Sequence, residues 1–127
     1  MVVAGAGSAG SVDAVGTSAS FSSPYGLASS PDSSFVLIAD YTNRKIRKLI
    51  VSTGVVSTFA GSGSAGGTNG VGPMVSFSGP IDISISSDGS FAINICNLGY
   101  RIRHIVLSTA FVTTLAGNGA SNSTDGT

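Results

Sequence analysis

The side chains that could do chemistry are few and unevenly placed. All six acids are aspartates (Asp13, Asp32, Asp40, Asp82, Asp88, Asp125), beside one histidine, His104, and one cysteine, Cys96. The six Lys and Arg all fall within Arg44–Lys48 and Arg101–Arg103, with His104 directly after. General acid–base work needs a positioned proton donor and acceptor, nucleophilic catalysis an arranged Ser-His-Asp set, and a metal several convergent ligands. One histidine cannot assemble a site of several imidazoles, and serines spread through the whole chain define no nucleophile. A single cysteine forms no internal disulfide and reads as a small buried hydrophobe. The expectation is a chain with no catalytic residue, no metal and no cofactor.

Two stretches imitate a phosphate cradle, Gly5-x-Gly7-x-x-Gly10 and Gly61-x-Gly63-x-x-Gly66. A dinucleotide fingerprint works because the helix after it aims its N-terminus at a pyrophosphate. Here Gly, Ser, Thr and Pro follow with no helical period, so the glycines read as linker turns. The formal net charge is zero and only 9% of residues are charged, which leaves little to neutralise a row of phosphates. Nucleic acid is not an expected partner. The basic residues read as long side chains covering the outer part of a sheet and pairing with aspartates. Few surface charges of zero sum also favour self-association.

No run of 18 apolar residues occurs, and Met1–Gly5 has neither basic residues nor the apolar length of a signal peptide. A soluble chain without a membrane segment is expected, in a compartment the sequence does not specify. Asn122-Ser123-Thr124 is a glycosylation sequon, meaningful only in a secreted protein.

These side chains must be positioned by a repeat. Phe21 and Phe77, Pro24 and Pro80, Asp32 and Asp88, Arg47 and Arg103 each stand 56 residues apart, and 22 of the 56 aligned positions of 4–59 and 60–115 are identical. A fixed period of this size points to an array in which no unit buries its apolar face alone. Absence of Glu, with abundant Ser, Thr, Val, Ile and Gly, argues against helix. Each unit opens with a Gly/Ser-rich linker, 4–23 or 60–79. Four strand-like segments follow: 25–30, 35–39, 45–51 and 55–59 in the first unit, and 81–85, 91–95, 101–107 and 111–115 in the second. Pro31-Asp32-Ser33-Ser34 and Ser87-Asp88-Gly89-Ser90 have turn chemistry. Residues 1–3 align with the end of a preceding outer strand, and 116–127 repeat the start of a linker and are expected to be flexible. Four antiparallel strands make one β-propeller blade.

The chain resembles the NHL repeat family of β-propellers over nearly its whole length. The resemblance rests on Phe21-x-x-Pro24-Tyr25-Gly26, Ser30-Pro31-Asp32, Val36-Leu37-Ile38-Ala39-Asp40 and Asn43-Arg44-Lys45-Ile46-Arg47-Lys48-Leu49 leading to Ser52-Thr53-Gly54. The second unit departs from it at Asp82, Ser87, Ile95-Cys96 and Gly99-Tyr100. The family implies an all-β fold, a propeller segment of two four-stranded blades within a ring of about six. Two blades cannot close a ring. The expected partners are copies of the chain, three of them giving six blades, or further blades of a parent chain. In a ring of copies, 116–127 of one chain and 4–15 of the next would compete for one linker position. By analogy with the fold, a protein partner would meet the loops Asp40–Asn43 and Leu98–Tyr100. The alternative is a sugar or other small ligand at the ring axis, where Tyr25 and Asp82, on the innermost strands, are the nearest candidates.

Overall fold

A computed structural model describes every residue except Thr124 and Thr127, so the third residue of the sequon lies outside the described residues. The fold is all-β, two antiparallel sheets with no α-helix among the described residues. The first sheet has the order β1-β2-β3-β4, with β1 Pro24–Ser29, β2 Phe35–Asp40, β3 Lys45–Ile50 and β4 Val56–Ala60. The second repeats it with β6 Pro80–Ile85, β7 Phe91–Cys96, β8 Arg101–Val106 and β9 Phe111–Ala116. A fifth strand, β5 Gly70–Val71, comes from the second linker and pairs with β9 at Gly70–Val112 and Val71–Phe111. The first linker makes only a single bridge at the corresponding place, Val15 with Val55.

Turn chemistry sets the register. In the first unit Asp32 Oδ1 accepts from the Ser34 amide and from the Ser30 and Ser34 hydroxyls, at 3.0, 2.8 and 2.7 Å. Asp88 does the same with Ser90 and Ser86 at the same distances. A carboxylate that fixes both ends of the turn holds the two strands it joins at one offset, so Ser29 faces Val36 and Ile85 faces Ala92.

The strands are apolar on alternate faces, and the two faces of the first sheet go to different places. Leu37, Ala39, Ile46 and Ala60 pack against Val75, Phe77, Ile83 and Ala92 of the second unit, forming the joint between the sheets. Val36, Ile38, Leu49 and Val56 face the other way and are covered by Ala4, Ala14, Ala19 and Phe21 of the first linker. Each long linker is therefore a structural layer that folds back over its own sheet. Close approach at the joint requires Gly26. A Cβ there would lie 2.6 Å from Asp82 Cα and 2.7 Å from the Ile81 carbonyl oxygen, both backbone atoms.

The glycines of the false phosphate cradle serve the same folding back. Gly5, Gly7, Gly61 and Gly63 take positive φ values of 116°, 79°, 111° and 90°, and the Gly10 amide donates to the Phe21 carbonyl.

Candidate functional site

Two groups of polar residues stand out, one buried and one exposed. In the buried group, Arg47 of β3 and Asp40 at the end of β2 have no solvent exposure. Arg47 Nη1 donates to Asp40 Oδ2 at 2.8 Å, and Arg47 Nη2 to Asp13 Oδ1 at 2.6 Å. The carbonyls of Ser20 and Val12 take two more guanidinium hydrogens, each at 2.9 Å, and the Phe21 ring lies 5.1 Å below. Asp40 also accepts from the Ser22 amide and from Asn43 Nδ2, each at 2.8 Å. Asn43 Nδ2 donates as well to the Gly10 carbonyl. The cluster ties linker, β2 and β3 together through charge-assisted bonds. Burial alone would raise the Asp13 carboxyl pKa, but the hydrogen bonds from Arg47 and Thr58 and the guanidinium charge hold it below the usual value.

This geometry corrects two expectations. Asp40 offers no partner-binding surface, because it is fully buried with both carboxylate oxygens engaged, and Asn43 is half-buried with its amide nitrogen held by Asp40 and the Gly10 carbonyl. Nor are all the basic residues surface cover, since Arg47 and Arg103 rank among the largest fully buried side chains.

The second unit keeps the arginine and loses its acids. Arg103 stacks over Phe77 at 5.2 Å and donates to the carbonyls of Ser76 and Thr68 at 2.7 and 3.0 Å. Asn69 replaces Asp13 and accepts from Arg103 Nη2 at 3.1 Å, while Cys96 replaces Asp40. Arg103 Nε has no hydrogen-bond partner among the described residues. Burial lowers the Arg103 pKa and pushes the Cys96 thiol up, as expected for a small core residue at 2% exposure. His104 stacks on Phe91, ring centroids 5.0 Å apart.

The exposed group lies at the end of the molecule where β1 and β6 begin and β2 and β7 end. Tyr25, 64% exposed, meets Tyr41 edge to face with centroids 5.2 Å apart. Gly79 lies between the two candidate loops. A Cβ on it would sit 2.9 Å from both Tyr41 Cε2 and Leu98 Cγ, so those side chains flank one glycine. Tyr100 is half exposed and holds a positive φ of 49°, as Arg44 does at the equivalent position. Asp82 is exposed, faces Gly26, and its Oδ1 accepts from the Ile83 amide at 2.8 Å. Of the residues expected from sequence, the fold thus gathers Tyr25, Asp82 and the Leu98–Tyr100 loop at one end. Within the expected Asp40–Asn43 loop it is Tyr41, half-buried against Tyr25, that belongs to this group.

No protein-family model matches the chain, and no curated protein does. Solved structures do. A structural-genomics protein of unknown function from Bacteroides thetaiotaomicron is 27% identical over 80% of this chain and 26% of its own, with a TM-score of 0.72. An auxiliary nutrient binding protein from the same organism is 26% identical over 74% of this chain and 25% of its own, TM-score 0.66. The PQQ-bound aldose sugar dehydrogenase of Streptomyces coelicolor is 19% identical over 80% of this chain and 31% of its own, TM-score 0.51.

The two sheets are propeller blades. The chain spans between a quarter and a third of the length of these structures, and their differing descriptions accord with a fold that hosts unrelated functions.

Proposed function

We propose that the chain is a non-catalytic β-propeller module of the NHL type whose work is interaction. Its blades close a ring with other blades, and its loop end binds a protein partner. The observation that carries this reading is how the chemically capable groups are used. Asp13 and Asp40 are held on Arg47, Asp32 and Asp88 on turn serines, and Cys96 is sealed in the core. What faces solvent at the loop end is Tyr25, Leu98 and Tyr100, at 64%, 60% and 49% exposure, beside half-buried Tyr41. An exposed aromatic and aliphatic cluster is the composition of an interface centre.

A second reading, a small polar ligand such as a sugar at the axis, is favoured by one observation. The exposed Asp82 carboxylate faces Gly26, next in chain to the Tyr25 ring. An aromatic face beside a carboxylate suits a sugar. Two of the similar structures are a nutrient binding protein and a sugar dehydrogenase by description.

Calorimetric titration with neutral and acidic mono- and disaccharides decides between them. The interaction reading expects no saturable heat. Saturable heat that is lost in Asp82→Ala and Tyr25→Ala, with unfolding midpoints unchanged, would overturn it in favour of the ligand site.

A further inference from the structure

The two blade faces left open are, position for position, the two halves of the joint the chain already makes within itself. On the first blade the half-joint is Leu37, Ala39, Ile46 and Ala60, all at 0% exposure. Fifty-six residues later stand Ile93, Ile95, Ile102 and Ala116, every one apolar, on the open face of the second blade. Ile95 and Ile102 are 45% and 38% exposed there.

The opposing half-joint is Val75, Phe77, Ile83 and Ala92. Its counterparts on the first blade are Ala19, Phe21, Leu27 and Val36; Ala19 and Val36 are buried where the first linker packs on its sheet, and Phe21 and Leu27 are the ones left uncovered, Phe21 in part. Leu27 shows most directly what is missing, being 61% exposed where Ile83 is 5% exposed. Phe21 and Leu27 line an apolar groove of about 350 Å³ with Val3, Pro24, Ile38 and Leu49.

We propose that these faces take each other. The open face of the second blade of one copy, centred on Ile93, Ile95 and Ile102, docks into the Phe21–Leu27 groove of a second copy. This rests on reading the chain as a propeller module and names the partner of its open faces. A second copy is the occupant because each open face repeats, in apolar character and register, the half-joint that its complement already covers inside the chain. At zero net charge, copies also carry no net electrostatic repulsion.

The contact is heterologous, head to tail, so it propagates until rotation closes a ring. The joint between copies is not a replica of the internal one. Gly26 lets β6 approach β1, but the residue in that place on the second blade is Asp82, whose Cβ stands where Gly26 has none. The inner strands of neighbouring copies are therefore spaced more widely than β1 and β6, with the Asp82 carboxylate at the gap.

The test uses two variants of the whole chain, each on an exposed residue. Leu27→Arg spoils the groove and leaves the docking face. Ile102→Arg spoils the docking face and leaves the groove. Sedimentation velocity over roughly a hundredfold range of concentration is expected to show a discrete oligomer for the native chain and a monomer of 12.5 kDa for each variant. An equimolar mixture of the two variants is expected to give a 1:1 dimer and nothing larger, because one intact head and one intact tail remain.

Circular dichroism confirms that each variant is folded; Leu27→Ser and Ile102→Ser replace any that is not. A folded native chain that stays monomeric overturns the docking, as does self-association of either variant alone or a mixture that fails to pair. None of these results bears on the module reading, which the saccharide titration tests separately.

Discussion

Removing Asp40 tests the central structural inference, that a buried guanidinium holds the first linker onto its blade. In Asp40→Ala, Arg47 Nη1 loses its 2.8 Å carboxylate and the Ser22 amide loses its acceptor, while Asn43 keeps the Gly10 carbonyl. Breaking a fully buried pair by deleting one partner costs roughly 3–5 kcal/mol. The lower end applies here, because Arg47 retains Asp13 at 2.6 Å and two carbonyls at 2.9 Å. The expected loss is about 3 kcal/mol, roughly 10 °C in the thermal midpoint of a domain this size.

Urea unfolding followed by circular dichroism measures it as a lower midpoint at unchanged slope. The double variant Asp40→Ala/Arg47→Met removes the stranded charge and keeps the stem volume, so it should be no less stable than the single variant. A loss under about 1 kcal/mol in Asp40→Ala would refute the charge-pair account. A double variant clearly below the single one would refute it too, and would mean that Arg47 acts through the Ser20 and Val12 carbonyls.

Three further outcomes follow from the same geometry. Asn69→Asp gives Arg103 the carboxylate its counterpart has, and should raise the urea midpoint by the equivalent of about 1 kcal/mol; a lower midpoint would show that Arg103 has no need of an acid. Gly26→Ala forces a Cβ onto backbone atoms at 2.6 and 2.7 Å and should cost about 1–3 kcal/mol, whereas Gly126→Ala, with open space around it, should be neutral. Serine hydroxyls and amides hold the Asp32 and Asp88 carboxyls down to about 2 from an ordinary 3.8, and Asp13 is also lowered. Folded values below the unfolded one mean that this stabilisation is complete above the unfolded pKa and is lost as pH falls through the folded values toward 2. Urea midpoints measured from pH 6 downward should therefore drop below about pH 4, and less steeply in Asp32→Asn/Asp88→Asn.

Of the candidate site, the exposed part was legible and the buried part was not. Tyr25 and Asp82 could be placed on innermost strands because the four-strand order follows from the repeat, and Leu98–Tyr100 could be placed in a loop because it replaces Thr42-Asn43-Arg44. Asp40 looked like a loop-end surface residue because aspartate before a turn is ordinarily solvated. Its burial depends on Arg47, seven residues away, and on a linker acid 34 residues from that arginine. Nothing local in the sequence distinguishes Arg47 from its neighbours Lys45 and Lys48. Strand β5 was invisible for a different reason, since two residues carry no periodicity and their partners lie some forty positions later.

The sequence by itself determined the repeat, the strands and the turns, because each of these is local: a 56-residue self-match, alternating apolar residues, and Asp32 and Asp88 among serines. It also determined that the open faces of the two blades are as apolar as the closed ones. Only the tertiary structure decided which face each linker covers, which arginine is buried with acids and which without, and that Gly26 sets the distance between blades. Those outcomes depend on atoms brought together from distant positions, and a side chain's chemistry there is set by what the fold places against it.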